Sequence, residues 1–332
     1  MTPSKRHTDG ESQKLPEGPR DAGGHDMRDE QLVLGQTHLA PGVGDLAGRR
    51  ARTLWGDAWY RLRKNKLAIA GLIWIVIVVF AALSADLWVP KYFGSPTSTE
   101  FGSREMPSLQ HPFGTDTIGH DVFSRVVYGT RVSLAVGILA VGISLIIGLI
   151  LGALSGYYGG VVDSLVMRTA DIFFAFPYTL FAIALLAALG PSYRNVFIAI
   201  GILGWPSIAR VFRSSILSVK SNEYVDAARA MGASDARIML RHIMPNAIAP
   251  IIVYGTMSVG GAIITEAALS FLGMGVQPPT PSWGLMISET KSQIWSAPWL
   301  LIGPGFAILL TVLAFVLMGD GLRDALDVKM KD

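Results

Sequence analysis

The sequence predicts an all-α membrane protein with six transmembrane helices and both termini on the cytoplasmic side. Of its 332 residues, 51% are hydrophobic and only 16% charged, and the mean hydropathy is +0.42. A soluble domain carries about 25% charged residues. Six apolar runs approach or exceed the roughly 20 residues that a helix needs to cross the hydrocarbon core. Lys and Arg gather in the segments that an even number of spans places on the cytoplasmic side.

The first span is read at 67–85, behind a cluster of Arg49, Arg50, Arg52, Arg61, Arg63, Lys64 and Lys66. It lies too deep in the chain and runs too long for a cleaved signal, so a retained anchor is expected. Residues 1–58, rich in Gly, Pro and charge, read as a disordered cytoplasmic tail with a basic juxtamembrane end. The anchor helix occupies 59–88, and an extracytoplasmic loop covers 89–131. The loop's Lys91, Arg104, Arg125 and Arg131 are balanced by Glu100, Glu105, Asp116 and Asp121. The second span falls within 132–162, with Gly137, Gly142, Gly148 and Gly152 at helix-packing spacing. The third is read at 172–193, with Arg168 and Asp171 before it expected as a local i,i+3 pair. The fourth, 195–209, is interrupted by Gly204-Trp205-Pro206 and reaches Phe212 if Arg210 snorkels. The fifth is 246–265 and the sixth 292–319, whose apolar part begins near Trp299. The five-helix core thus covers 132–320, and 321–332 are expected as a cytoplasmic C-terminus.

Between spans four and five the chain reads "EYVDAARAMGASDARIMLRHIMP", the heart of a polar cytoplasmic segment at 218–247. Ser221 or Asn222 can cap a helix from Glu223, and Ala227, Ala228 and Ala230 favour it. Gly232 sits where a left-handed residue ends a helix. Ser234 can cap a second helix through Arg241, and Pro245 suits the first turn of span five. Two short helices joined at a glycine bend follow. They would serve equally as an interfacial hairpin on lipid headgroups or as a docking element for a soluble partner.

Several chemistries are excluded. The chain contains no Cys, so it has no disulfide, thiolate zinc site or cysteine nucleophile. It has no G-x-x-x-x-G-K-[ST] loop to cradle ATP, no H-E-x-x-H and no G-x-S-x-G. Its six His are scattered, so no metal site is expected, and the net charge of +3 is small, with no nucleic-acid partner expected.

Asp226-Ala227-Ala228, Gly232, and Met244-Pro245 at 12 and 13 residues further on resemble the EAA motif of ABC importer permeases, with Asp in place of Glu. "HPFGTDTIGHDVFSRVVYGTRVSLAVG", "TEAALSFLGMGVQPPTPSWG" and "RLRKNKLAIAGLIWI" are similar to the peptide-importer branch, with His120 where Arg is usual. The resemblance covers the chain from about Trp59 onward. It implies a type I ABC importer permease architecture in a bacterial or archaeal cytoplasmic (inner) membrane. It further implies a non-catalytic subunit, paired with a second homologous permease, two ABC ATPase subunits that hold ATP and Mg, and an extracytoplasmic binding protein delivering peptide. No cofactor is expected on this chain. The ATPase-coupling residues carried over are Glu223, Asp226, Ala227, Ala228, Arg229, Met231, Gly232, Ala233 and Ser234. Nickel or glutathione permeases of the same branch look alike and stay open as alternatives. An ion-gradient transporter would need midplane acids or a half-to-half repeat, and neither is present.

Pathway candidates come from helix breakers and charge at membrane depth. Pro177 and Pro206 read as bends that shape a pathway. Glu266 is a functional candidate because it is an acid near a span. The preferred reading there is plainer: a carboxylate at the outer interface, solvated or paired with a loop Lys or Arg. Trp283, Trp295 and Trp299 are expected in an interfacial aromatic belt.

Overall fold

The computed structural model describes residues 54–326; the expected tail at 1–58, apart from its last residues, and 327–332 lie outside them. The described residues are helical, with one isolated bridge between Thr115 and Asp121. Helix α1 is Leu54–Leu62, followed by α2 (Lys66–Phe93), α3 (Val122–Tyr158), α4 (Gly160–Ala175) and α5 (Tyr178–Leu189). Then come α6 (Tyr193–Lys220), α7 (Glu223–Ala230), α8 (Ala249–Phe271), α9 (Trp283–Thr290) and α10 (Trp299–Leu326). Five helices (α2, α3, α6, α8 and α10) are long and apolar enough to cross a membrane, or six if the bent pair of α4 and α5 counts as one span.

Local chemistry explains the ends. Asn65 Oδ1 caps α2 by accepting from Leu67 N and Ala68 N, both at 3.1 Å. Asp121 Oδ1 caps α3 through Ser124 N at 2.6 Å. Helix α3 therefore starts well before the uncharged run, and the connection to it shrinks to 94–121. Arg125 and Arg131, which ended the run in the sequence, lie inside the helix because acids meet them. Arg125 bonds Asp116 and Glu289, and Arg131 bonds Asp86 at 3.0 Å.

The third span differs from the expected 172–193. Gly159 and Gly160 adopt φ of +67° and +54°, ending α3 and opening α4 within what read as one apolar run. Helices α4 and α5 then meet at 89°. Phe176 is extended and Pro177 follows it, as expected where the proline ring disfavours helix in the preceding residue. Pro206, in contrast, does not interrupt α6, which runs unbroken for 28 residues. Neighbouring helices bond the turn before it: Ser144 Oγ donates to Gly201 O at 2.8 Å and Tyr178 Oη to Ile200 O at 3.2 Å. Asp171 pairs with Arg210 of α6, not with Arg168; the Arg210 guanidinium also lies over the Phe174 ring at 4.3 Å.

Small residues set the packing of α3 on α6. A Cβ on Gly148, Gly152 or Gly156 would lie 2.6, 2.7 or 2.8 Å from Ile208, Ala209 or Ile216. The stripe recurs every fourth residue, so the two backbones approach along one seam. Gly137 packs on Ile263 and Val259 of α8 in the same way, whereas Gly142 faces open space. Helix α10 closes on α2 through Gly71 against Ala314, and on α8 through Gly319 against Met257.

Candidate functional site

Helix α7 is held at one end of the bundle by its inner face alone. Val225 and Ala228 are buried, in a cluster with Tyr157, Phe212, Ile216, Ile238 and Ile251. Its C-terminus is a Schellman turn: Ala233 N–H donates to Ala228 O at 3.1 Å and Gly232 N–H to Arg229 O at 3.0 Å. Gly232 takes φ +78°, as the glycine bend requires. The expected side-chain caps are not formed. Asn222 Nδ2 instead donates to Val219 O at 3.0 Å, and Ser234 occupies its cap position without a side-chain bond. Asp226 pairs with Arg229 at 2.9 Å on the exposed face of its own helix.

Beyond Ser234 the chain does not form the simple helix expected to Arg241. A turn at Asp235–Arg237 passes into a π-helix at Ile238–Ile243 and then into Met244–Ala247. Positions five apart fall on different faces of an α-helix. The i→i+5 pattern brings Ile238 and Ile243 to one face, and both are fully buried. Pro245 therefore sits in this short helix, and α8 starts afresh at Ala249 with Pro250 in its own first turn. Two polar contacts tie the segment to the bundle: Tyr157 Oη donates to Asp235 at 2.6 Å, and Lys220 Nζ to Tyr157 O at 2.5 Å. Arg213 grips Asp163 of α4 through two bonds of 2.5 Å, and Ser155 donates to the same carboxylate.

About a quarter-turn round from its buried face, α7 carries a second apolar stripe. Tyr224, Ala227 and Met231 recur at helical spacing and are exposed, Met231 by 83%. Glu223, Asp226 and Arg229 are exposed on the rest of the helix surface. A short helix with two apolar faces, only one of them covered, is built to be buried twice.

A groove runs along α8 from this end. Near Ala249 an open cavity of about 450 Å³ is lined by Val211, Pro250, Tyr254, Met257 and Arg323. A second, also about 450 Å³, shares Tyr254 and Met257 and continues past Ser144, Tyr178, Ser207, Ser258, Gly261 and Thr265. At 1.5 Å per residue the groove follows α8 for about 24 Å. The inner cavity has no charged residue in its lining. Its hydroxyls donate to helix carbonyls: Ser258 to Tyr254 O at 2.7 Å, Thr265 to Gly261 O at 2.9 Å, Ser144 and Tyr178 to α6. Those four keep oxygen acceptors for the cavity, while Ser207 and Tyr254, whose hydroxyls bond no group among the described residues, can also donate.

Of the sequence's pathway candidates, none lines this cavity. Pro177 supplies the bend that brings Tyr178 to it, and Pro206 is buried within α6. Glu266 is fully buried rather than solvated, and its partners are the serines Ser133, Ser270 and Ser282 rather than a loop cation. Trp283 also leaves the expected belt: it is buried, with Nε1 donating to Val126 O at 3.0 Å, while Trp295 is 93% exposed.

At the far end, 94–121 folds on a polar network. Asp116 receives Arg125 at 2.7 Å and lies 2.8 Å from His120 Nδ1; Arg125 also reaches Glu289 at 2.8 Å. Burial opposes charge on Asp116, but the His120 and Ile118 N–H groups and the His120 ring outweigh it and hold its carboxyl below the usual range. Burial wins at Asp121, whose carboxyl is pushed up despite Ser124 N–H and His111 at 2.7 Å.

Residues 148–332, more than half of the chain, match the family described as binding-protein-dependent transport system inner membrane component. The chain belongs to that family. Residues 53–102 match the N-terminal transmembrane domain of oligopeptide transport permease C. The dipeptide transport system permease protein of Alkalihalophilus pseudofirmus is 48% identical over 277 residues, 83% of this chain and 90% of that one. The glutathione transport system permease protein of Escherichia coli O157:H7 is 45% identical over 282 residues, 85% and 93% of the two chains. The fold is also that of a chain in the inward-facing MetNI methionine ABC transporter, at 19% identity and TM-score 0.50, over 60% of this chain and 94% of that one. This permease is therefore a multi-pass inner-membrane protein. The groove-lining residues of α8 escaped the sequence reading, yet Tyr254, Ser258, Gly261 and Thr265 do recur at helical spacing.

Proposed function

We propose that the chain is the non-catalytic permease of an ATP-driven peptide importer, and that its groove is one half of the translocation pathway. The uncovered apolar stripe of α7 carries the reading. Tyr224, Ala227 and Met231 have the spacing of a helix that docks in a groove of another protein. Two separate ABC ATPases, holding ATP and Mg, supply such grooves, and Glu223, Asp226, Ala227, Ala228, Arg229, Met231, Gly232, Ala233 and Ser234 form the contact region within 218–247. A second, homologous permease closes the open side of the α8 groove. In this orientation 1–58 and 321–332 are cytoplasmic, 59–88 anchors the core of 132–320, and the loop within 89–131 meets an extracytoplasmic binding protein.

Peptide as the solute is supported by the relatives and by the cavity's chemistry. A lining without charge, presenting hydroxyl oxygens, suits N–H donors and tolerates side chains of either sign. Glutathione is the second reading, because a relative named for its transport is nearly as similar, at 45% identity. The test is reconstitution of the full complex, followed by ATP hydrolysis with the binding protein loaded with dialanine or with glutathione. Stimulation by dialanine supports the first reading and by glutathione alone the second. Stimulation by neither, with partners bound, would overturn both.

A further inference from the structure

The carboxylate of Glu266 ends two hydrogen-bond relays, each starting on a backbone N–H outside the membrane helices' regular ladder. Val276 N–H donates to Ser270 Oγ at 3.2 Å, and Ser270 O–H donates to Glu266 Oε1 at 2.7 Å. Trp283 N–H donates to Ser133 Oγ at 3.3 Å, and Ser133 O–H donates to Glu266 Oε2 at 3.2 Å. A hydroxyl has one hydrogen, so a serine that accepts from the backbone and donates onward needs an acceptor at the end. Each carboxylate oxygen supplies one. The two relays thus join α8, α3 and both ends of the 276–283 segment. No Lys, Arg or His bonds Glu266 among the described residues.

Packing agrees. A Cβ on Gly275 would fall 2.0 Å from Ser270 Oγ, and one on Gly284 would fall 2.5 Å from Ala267 Cα, so the segment and the start of α9 lie directly on α8. Thr265, next to Glu266, faces the inner cavity. One helix therefore presents the cavity lining on one side and holds the outer segment on the other.

We propose that Glu266 is the positioning residue through which α8 carries the segment 272–283 with it when the transporter changes conformation. The proposal rests on the permease reading above. It makes that segment part of the moving body of α8, so that a shift begun at α7 reaches the face where the binding protein delivers its cargo.

The chain has no cysteine, so a single reporter can be placed without background. Val276 is 1% exposed, and a Val276→Cys probe in the assembled complex should resist a water-soluble maleimide with and without trapped ATP. Adding Glu266→Leu leaves both serines without an acceptor; loss of a buried hydrogen-bond partner should raise labelling about tenfold. Binding-protein-stimulated hydrolysis should fall by a similar factor while basal hydrolysis persists. Glu266→Gln, with one acceptor oxygen, should fall between. If Glu266→Leu prevents assembly, Glu266→Gln and Ser133→Ala with Ser270→Ala carry the same two readouts. Labelling within about twofold of the parent would overturn the relay, and faster labelling with intact stimulation would overturn its role in coupling. A parent complex that labels as expected but shows no stimulation by its binding protein would instead count against the permease reading.

Discussion

Val225 gives a direct measure of how firmly α7 is held. It is fully buried, with Ala228 the other buried residue of the helix. Val225→Ala removes two methyl groups, worth about 0.8 kcal/mol each, and leaves a small cavity among Phe212, Ile216 and Ile238, for a total of about 2 kcal/mol. Because α7 has only eight residues, it cannot hold its helix without that contact. The undocked population should rise about thirtyfold. Hydrogen exchange on the assembled complex would read this at the amides of α7 and the Gly232 turn. Solute moved per ATP hydrolysed should fall, because a loosely held helix yields when pushed. Tyr224→Ala is the comparison: it keeps the buried Val225 and Ala228, so it should weaken ATPase association and raise exchange less than Val225→Ala does. Exchange in Val225→Ala within about threefold of the parent would refute the anchoring.

Three further outcomes follow. Gly152→Ala should destabilise the complex by about 1–3 kcal/mol, because its Cβ meets the Ala209 backbone, while Gly142→Ala, facing open space, should be close to neutral in thermal unfolding. Thr265→Trp should fill much of the inner cavity and abolish solute uptake while leaving basal ATP hydrolysis, so unimpaired uptake would remove this cavity from the pathway. Asp116, held below the usual range, contributes stability that is present above its unfolded pKa of about 3.9 and is lost as pH falls through the lower folded value. Asp116→Asn should therefore flatten the loss of thermal stability on acidification from about pH 5 downward, measured against the parent in the same detergent.

Hydropathy made the spans legible, because lipid imposes one length and one polarity on any helix that crosses it. It misplaced ends wherever distant groups neutralise charge: Arg125 and Arg131 are helical because Asp116, Glu289 and Asp86 come to them from elsewhere in the chain. It could not see the Gly159-Gly160 corner, which is as uncharged as the helices it joins. The glycine bend at Gly232 was legible from local backbone chemistry alone. Glu266 was not, since Ser133 lies 133 positions away and only Ser270, one turn on, was visible as a neighbour. The π-helix was also hidden, because its cause is the shared burial of Ile238 and Ile243 against a bundle the segment itself does not contain.

The way α7 is mounted determines where a push on it can go. Its buried residues share one cluster with Phe212 and Ile216 at the end of α6 and Ile251 at the foot of α8. Helix α4 is clamped to α6 nearby by Arg213 with Asp163 and by Arg210 with Asp171. Packing and ion pairs thus link these four elements at that end. Further along, α4 stops at the 89° corner, and α5 is bonded to α6 instead, through Tyr178 and Ile200 O. The corner at Phe176 and Pro177 lies between the clamped end and the cavity. Tyr178, bonded to α6, and Tyr254, Ser258 and Thr265 of α8 line the same cavity. A tilt of α6 against α8 changes the width of that cavity directly, with no hinge needed inside either helix. Pro206 accordingly lies within a continuous α6, while Pro177 marks the joint.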